Sequence, residues 1–254
     1  MTTVKDIYDF LDSIAPFKSA MDFDNCGILI GDPDYEVKSA VISLDIIPEV
    51  CDEAYNLGAN LIISHHPIIF RPIKNISFRS VTSKMIKNEI NAICAHTNLD
   101  MAKCGVNFHL ASSLGISNLS PLCMEKESPL GFVGELKKEM DLNEFAIFVK
   151  EKLNCKGVRY TNIKTKIKKV GVCSGSGGSL VAEAYKKGVD AFVTGEIKHS
   201  EILLANHLGI TVFDAGHFKT ENVIINPLKI MLSEKFKNVK FITSESFSDK
   251  INYI

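Results

Sequence analysis

The chain has 254 residues, a formal net charge of −1 at pH 7 and a hydrophobic content of 46%. This length suits one large domain or two smaller ones, and the hydrophobic content is enough to bury a sizeable core. The near-zero charge, without a block of lysine and arginine interleaved with aromatic residues, argues against a dedicated nucleic-acid-binding protein.

The N-terminus and the apolar runs indicate neither export nor membrane insertion. Residues 1–6 lack the apolar core of a signal peptide. The apolar runs are shorter than the roughly 20 residues that a bilayer-spanning helix needs. Seven scattered cysteines, without a Cys-x-x-Cys pair, argue against a disulfide framework and against a thiolate zinc site. We therefore expect a cytoplasmic protein without membrane contact.

The first half of the chain alternates strand-like and helix-like segments. The spacing of Ile7, Leu11 and Ile14 predicts an opening helix. The strand-like apolar runs that follow are residues 26–32, 39–44, 61–64 and 92–95. Further helices are predicted near residues 47–57 and 80–90. This order predicts a largely parallel sheet covered by helices.

A stretch near residues 116–130 is richer in serine, asparagine, proline and glutamate than its surroundings, and it predicts a linker. Beyond it, residues 132–136 and 170–173 predict strands, and residues 142–153 predict a helix between them. A second βα pattern therefore begins after the linker. A last strand is predicted near residues 239–242.

The chain contains an internal repeat, because residues 53–64 match residues 183–194 without a gap. Each copy predicts a helix, a glycine and a strand. Chance similarity is one explanation, and a duplicated α/β unit whose strand ends face a shared cleft is the other. The residues that follow the two copies are His65 and His66 in the first, and Gly195 and Glu196 in the second. Ligand sites of open α/β sheets lie at such strand ends.

Imidazole and carboxylate side chains follow three of the predicted strands. They are His65 and His66, then His96 and Asp100, and finally His217 and Glu221. These are the donors that borderline divalent cations prefer. Adjacent side chains along a strand project in different directions, so His65 and His66 are expected to bind different ions of a two-ion centre. The spacing of His217 and Glu221 puts them on one face of a helix.

Each of these pairs has a simpler explanation when it is taken alone. A His-His pair is commonly exposed or satisfied within a core, and a His-x-x-x-Glu pair commonly lies on a solvated helix face. Their combination at three strand ends indicates a metal site. The glycine-rich segment 174–178 predicts a tight turn that can also donate amides to a phosphate, although it lacks the lysine of a P-loop.

Five motifs, in a set order along essentially the whole chain, carry a resemblance to a known family. They are Ser-His-His-Pro, Ala-His-Thr-Asn-Leu-Asp, Cys-Ser-Gly-Ser-Gly-Gly, Thr-Gly-Glu and Asp-Ala-Gly-His-x-x-x-Glu. This set resembles the GTP cyclohydrolase I type 2-like family, also called NIF-three-like proteins. The segment from Asp24 to Ile28 resembles a further element of that family. Glu196 stands where relatives frequently have Asp.

The resemblance implies an α/β protein of two domains with mixed, largely parallel sheets, the second inserted in the first, and a metal site in the cleft between them. The first domain would comprise residues 1–125 and 221–254, and the second residues 126–220. The implied cofactors are two divalent metal ions per chain (zinc, iron or manganese), with Glu221 bridging them. The implied ligands are His65, His66, Asp100, His217 and Glu221. A homohexameric ring is also implied.

The resemblance further implies a dinuclear-metal-dependent hydrolase, and specifically a GTP cyclohydrolase that opens the purine ring of GTP toward dihydroneopterin triphosphate. The expected substrate is thus a small molecule, with a nucleotide as the first candidate. His96 is the candidate general base, and a structural histidine at a strand end is the alternative. Glu196 and His199 are expected to line the cleft. The competing hypothesis is a non-catalytic metal-binding or partner-binding ring protein with a chaperone or regulatory role.

Overall fold

A computed structural model describes residues 1–252 and 254, and the chain divides into two compact units. Unit 1 comprises Met1–Leu99 and Ile225–Ser248, and unit 2 comprises Asp100–Ile224 and Asp249–Ile254. The main segment of unit 2 therefore lies between the two segments of unit 1 in the sequence, and its short second segment follows them. The division differs from the predicted domain boundaries, because residues 100–125, 221–224 and 249–254 belong to unit 2 and not to the first domain.

The helices and strands are short and follow one another closely. In chain order the α-helices are α1 (Val4–Ile14), α2 (Pro48–Asn56), α3 (Val81–Lys87), α4 (Thr97–Asp100), α5 (Val106–Ser113), α6 (Leu142–Lys152), α7 (Val181–Lys186), α8 (His199–Leu208), α9 (His217–Glu221) and α10 (Ile225–Lys235). Among the described residues, no helix has the length and apolar character needed to cross a bilayer.

The strands form one mixed sheet in each unit. In chain order they are β1 (Gly27–Ile30), β2 (Ser39–Ser43), β3 (Leu61–Ser64), β4 (Asn91–Cys94), β5 (Ser117–Glu125), β6 (Ser128–Asp141), β7 (Arg159–Tyr160), β8 (Lys166–Cys173), β9 (Ala191–Thr194), β10 (Thr211–Asp214) and β11 (Lys240–Thr243). Both sheets are mixed and carry helices, as predicted, but only the sheet of unit 1 is largely parallel.

The sheet of unit 1 has the order β1-β4-β3-β2-β11. Strands β4, β3, β2 and β11 are parallel, and β1 is antiparallel to β4. The predicted last strand, β11, pairs with β2 in this sheet. Ser43 lies opposite Ser64, which in turn lies opposite Cys94. The chain segments that follow β2, β3 and β4 therefore leave the sheet at the same edge.

The core of unit 1 forms where helices α2 and α3 pack on this sheet. Apolar side chains of the central strands contact buried side chains of α2 and of α3. The set comprises Val41, Ile62 and Ala92 from the strands, Val50, Cys51 and Ala54 from α2, and Met85 from α3. Because these side chains are fully buried, their removal from water stabilises the sheet edge that carries the candidate ligands.

The sheet of unit 2 has the order β5-β6-β8-β9-β10-β7. The pairs β8–β9 and β9–β10 are parallel, whereas β5–β6, β6–β8 and β10–β7 are antiparallel. One core cluster includes Phe145 and Val149 of α6, and a second includes Val181 and Ala184 of α7. Both clusters contain strand residues, so helices stabilise the sheet through two separate sets of apolar contacts.

The predicted linker near residues 116–130 is wrong, because this region forms the hairpin β5–β6. β5 is the edge strand of its sheet and most of its side chains are partly or fully exposed. An edge strand tolerates Pro121, which cannot donate a ladder hydrogen bond. Lys126 takes a left-handed conformation (φ 54°) in the turn. The polar composition thus reflects an exposed strand and not an unstructured connection.

The internal repeat corresponds to a repeated structure. Gly58 and Gly188 end the two helices with φ angles of 65° and 66°, a left-handed conformation that favours glycine. The residue after each glycine donates its amide to a helix carbonyl, from Ala59 to Ala54 and from Val189 to Ala184. β3 lies between two parallel neighbours, and so does β9. The duplication hypothesis therefore accounts for both sequence and geometry.

Glu53 of α2 joins this helix to the segment after β11. Its carboxylate accepts hydrogen bonds from the Ser244 hydroxyl, from Glu245 N at 2.8 Å and from Ser246 N at 3.3 Å. Burial raises the pKa of Glu53, but these hydrogen bonds outweigh it and lower the pKa. The carboxylate form is therefore the one that the fold stabilises.

We expect Glu53→Gln to lower the free energy of unfolding by about 1 kcal/mol at pH 7. Because the pKa is lowered on folding, the contribution is present above the unfolded pKa of about 4.3 and is lost as the pH falls through the folded value. Urea denaturation should show a difference in unfolding free energy between the wild type and Glu53→Gln at neutral pH, and this difference should disappear at acidic pH. Glu151→Gln, at an exposed position of α6, is the control; a pH-independent difference at Glu53 would contradict the prediction.

Candidate functional site

Three histidines of unit 1 converge at the edge where β3 and β4 end. His65 and His66 follow β3, and His96 follows β4. The ring atoms that they can offer to a metal all lie within 4.8 Å of one another. The ring centroids are 5.0–5.3 Å apart. Both His65 and His66 lie in a bend beyond the last residue of β3, and that they bind different ions stays a prediction.

Each of these three rings has its Nδ1 atom beside an oxygen acceptor. The contacts are His65 to the Ala95 carbonyl at 2.9 Å, His66 to Asp45 Oδ2 at 3.0 Å, and His96 to Asp24 Oδ1 at 2.9 Å. A carbonyl or an ionised carboxylate only accepts, so Nδ1 carries the proton and a neutral ring presents the lone pair of Nε2. Metal-binding histidines in proteins show this arrangement.

Asp24 is the buried acceptor that orients His96. Its carboxylate also accepts from the Thr97 amide at 3.0 Å, from the Thr97 hydroxyl and from Cys26 Sγ at 3.0 Å. Burial raises the pKa of Asp24, but the hydrogen bonds from His96, Thr97 and Cys26 outweigh it and hold the pKa well below its usual range. Asp24 is therefore ionised at neutral pH and suited to accept from His96.

Unit 2 contributes a second group of donors on α9. His217 and Glu221 lie on one face of this helix, as predicted, with His217 Nε2 at 2.9 Å from Glu221 Oε1. His217 Nδ1 lies 2.8 Å from Glu196 Oε1. Glu221 is only 3% exposed. Glu196, the residue that departs from the family pattern, thus reaches His217 with its longer side chain.

His217 is held between two carboxylates. Burial lowers the pKa of His217, but Glu221 first and then Glu196 outweigh this effect and raise the pKa to about 9. The ring is therefore protonated at neutral pH in the metal-free chain. A metal at Nε2 would displace one proton, while Glu196 would keep the proton on Nδ1.

The segment 174–178 of unit 2 lies next to Asp100 and also next to the α9 donors, although Asp100 joins neither group of potential metal ligands found among the described residues. Ser174 Oγ lies 3.5 Å from Asp100 Oδ1. A Cβ atom added to Gly175 would lie 2.3 Å from Glu221 Oε1 and 3.3 Å from His217 Nε2. Gly175 also has a left-handed φ of 58°. A glycine is therefore required for the segment to pass this close to the candidate ligands.

The suggestion that segment 174–178 cradles a phosphate is not supported. The amides of Ser174, Gly175 and Gly177 already donate to side chains of unit 2. Their acceptors are Asn107 Oδ1 at 2.7 Å, Thr220 Oγ1 at 3.0 Å and Thr194 Oγ1 at 3.0 Å. The Glu221 carboxylate beside Gly175 would also repel an anion. The segment instead positions the ligand-bearing side chains.

The remaining histidines lie outside these two groups. His199 begins α8 and is exposed, and so is His207 on the same helix. His109 of α5 is partly buried, which lowers its pKa. In the described part of the chain, none of the three joins a group of metal-ligating side chains. That His199 lines a cleft stays a prediction.

Asp24, Asp45 and the contact of Glu196 with His217 were not predicted. Asp24 belongs to the segment 24–28, which resembles a sequence element of the family, and this resemblance could have marked Asp24 as a functional residue. Asp45 had no such signal, because its role depends on the loop after β2 lying beside the loop after β3. The donor sets nevertheless fit borderline divalent cations, since they combine neutral imidazoles with carboxylates. The chain thus contains His and Glu groups that could hold a metal ion.

Known proteins resemble this chain over nearly its full length. The family model for Duf34/NIF3 (NGG1p interacting factor 3) matches residues 2–250. A protein of Clostridium perfringens named "GTP cyclohydrolase 1 type 2 homolog" is 34% identical, with 99% of each chain covered. A protein of the same name from Clostridium acetobutylicum is 36% identical over 92% of this chain and 89% of its own length.

Solved structures agree with these sequence matches. The crystal structure of a hypothetical protein from Staphylococcus aureus has a TM-score of 0.93 and 32% identity, and the match covers 99% of each chain. A Bacillus cereus protein described as related to NIF3 has a TM-score of 0.93 and 27% identity, with 100% of this chain and 99% of that chain covered. Motifs, full-length sequence matches and fold lead to one conclusion: this chain belongs to the Duf34/NIF3 family.

Proposed function

We propose that the chain is a metal-dependent hydrolase with a dinuclear centre, and that GTP is the first substrate to test. The proposed ligands are His65, His66, Asp100, His217 and Glu221, and the proposed ions are zinc, iron or manganese. The observation that carries the proposal is the protonation pattern of the histidines. Asp45 and Glu196 hold the Nδ1 protons of His66 and His217, which leaves each Nε2 for an ion once a metal displaces the Nε2 proton of His217.

When bound, two divalent ions activate water and polarise the atom under attack. The side chains of the protein supply negative charge and hold the metal-binding groups in position. Asp100 and Glu221 provide two carboxylates that offset the charge of the ions. Glu221 is buried and stays near His217 because Gly175 leaves room for its side chain. The names of the relatives support a cyclohydrolase reaction on GTP.

We assign His96 the role of general base in the two-ion form. Its side chain is 18% exposed, so that a water or a substrate can reach it, whereas the Asp24 side chain is fully buried. When Nε2 takes up a proton, the ionised Asp24 at Nδ1 stabilises the imidazolium that forms. The hydrogen bond to Asp24 would keep the other proton on Nδ1, so the ring would regain its starting tautomer once Nε2 loses its proton.

His96→Ala is expected to slow turnover by roughly 10²–10⁴-fold in fully metal-loaded protein. Stopped assays of kcat at saturating metal would measure the loss, and added imidazole should restore part of the rate. A purely structural histidine would show no rescue. His207→Ala, at an exposed position of α8, is the matched control. An unchanged kcat in His96→Ala would reject the general-base role.

The decisive assay incubates GTP with zinc-, manganese- or iron-loaded protein and measures formate and a pterin product. Activity should disappear with a chelator and return when the metal is restored. If neither GTP nor any other nucleotide or phosphoester turns over with any of these metals, the hydrolase proposal is rejected. A non-catalytic protein that binds metal or a partner would then be preferred. We also propose a homohexamer, which light scattering of the purified protein would test.

A further inference from the structure

The convergence of three histidines in unit 1 has a consequence that goes beyond the two-ion centre. The five proposed ligands include His65 and His66 but not His96. Yet the ring atoms of these three residues form one group within 4.8 Å. All three residues belong to unit 1. Three imidazoles are a ligand set that can hold one zinc-like ion and leave its fourth position open.

We propose that unit 1 binds one divalent ion by itself through the Nε2 atoms of His65, His66 and His96. In this one-ion form His96 is a metal ligand. In the proposed two-ion form His96 is not among the ligands, and it is available as the general base. The one-ion site does not depend on turnover, so it stands whether or not the chain is a hydrolase.

The main chain holds the three residues in place before any ion binds. His65 N donates to the Ser43 carbonyl at 3.2 Å and His66 N to the Leu44 carbonyl at 2.8 Å. His96 N donates to Asn98 Oδ1 at 2.9 Å. The first two bonds attach the segment after β3 to the end of β2, and the third closes a turn within the segment after β4. The ligand-bearing backbone is therefore already ordered, and binding needs only small ring rotations.

The Nδ1 contacts select the same ring atom for binding in all three residues. Each Nδ1 proton goes to a different acceptor, namely the Ala95 carbonyl, Asp45 and Asp24. A tetrahedral ion with bonds of about 2.0–2.1 Å brings its nitrogens to about 3.3 Å from one another. Rings whose ligand atoms already lie within 4.8 Å can close to this separation by turning about their side-chain bonds.

The local charge and access also suit a divalent cation. Asp24 and Asp45 contribute two carboxylates next to the histidines, which offset the two positive charges of the ion. His65 is buried at 2% exposure. The side chains of His66 and His96 are 24% and 18% exposed. An ion can therefore enter past the two partly exposed rings and reach the buried one.

The test titrates the double variant His217→Ala/Glu221→Gln with Co²⁺ alone. Removal of these two donors should leave one equivalent bound at unit 1. Adding His96→Ala should weaken this binding by more than roughly 10–100-fold, which is the cost of losing a residue that only hydrogen-bonds to a metal ligand. Adding Asp24→Asn instead should cost roughly 10–100-fold, and adding His207→Ala should change nothing. Far-UV circular dichroism in the presence of chelator checks that each variant is folded.

A second measurement uses the wild-type chain with one equivalent of Co²⁺. Proton NMR should show three exchangeable, paramagnetically shifted N–H signals, one for each Nδ1 proton, and His96→Gln should show two. The proposal is overturned if His96→Ala leaves the affinity of the double variant unchanged, or if the double variant binds no ion. A cobalt–thiolate charge-transfer band would also overturn it, because Cys26 or Cys94 would then replace an imidazole.

Discussion

Replacing Glu221 with glutamine is expected to abolish the two-ion form of the protein and turnover with it. Glu221 is 3% exposed and its Oε1 lies 2.9 Å from His217 Nε2. A carboxylate that bridges two ions serves each of them, whereas a neutral amide has lost the charge that both require. In the proposed centre the variant would therefore remove one ligand from each of two ions, with almost no change in volume.

Elemental analysis after metal reconstitution measures this effect directly. Wild-type protein should approach two equivalents, and Glu221→Gln should retain one or fewer, held by the histidines of unit 1. Turnover should fall below detection at any metal concentration that leaves the fold intact. Glu151→Gln, at an exposed position of α6, should behave as wild type. Retention of two equivalents in Glu221→Gln would contradict the bridging role.

Gly195→Ala should strongly destabilise unit 2, although it adds a single methyl group. A Cβ atom at this position would lie 2.6 Å from Thr220 Oγ1, 2.7 Å from the Gly175 carbonyl and 2.8 Å from the His217 Cα atom. Two of these atoms are backbone, so they cannot move without shifting segment 174–178 and α9. We expect the free energy of unfolding to fall by roughly 3 kcal/mol.

Gly209→Ala provides the matched control in the same unit. Gly209 has a left-handed φ of 75°, and nothing lies within 4 Å of an added Cβ atom. Its replacement should cost only the conformational penalty of about 1 kcal/mol. Chemical denaturation followed by circular dichroism would compare the two variants. Equal stabilities would show that Gly195 does not approach segment 174–178 as closely as described.

The fold class, and the positions of the histidines at strand ends and of His217 and Glu221 on one helix face, were predictable because they depend on short-range patterns. Apolar runs of strand length, separated by helical spacing, indicate α/β sheets. His65 and His66 could be placed at a strand end because they follow the run 61–64 directly. A spacing of four residues was enough to put His217 and Glu221 on one helix face. The match between residues 53–64 and 183–194 likewise indicated that both segments form the same structure.

The hairpin β5–β6 was not predictable from the composition of its residues. Residues 116–130 are polar because they form an exposed edge strand, and composition alone does not distinguish that from a linker. The boundary of the second domain was consequently predicted after residue 125, whereas unit 2 begins at Asp100. Pairing with β6, which buries part of the segment, is a non-local property that a single-sequence pattern does not contain.

The sequence by itself determined which side chains could bind a metal, and the tertiary structure decided how each one is oriented. Asp24 lies 72 positions before His96, and Asp45 lies 21 positions before His66, yet each accepts the Nδ1 proton of its histidine. The Asp45–His66 pair exists because the parallel strands β2 and β3 end in register. The Asp24–His96 pair exists because the antiparallel strand β1 begins where β4 ends. In both cases the sheet brings together loops that are distant in the chain. Local spacing places a residue on a strand end or a helix face, but only the meeting of those loops decides which ring nitrogen carries the proton and which one could bind an ion.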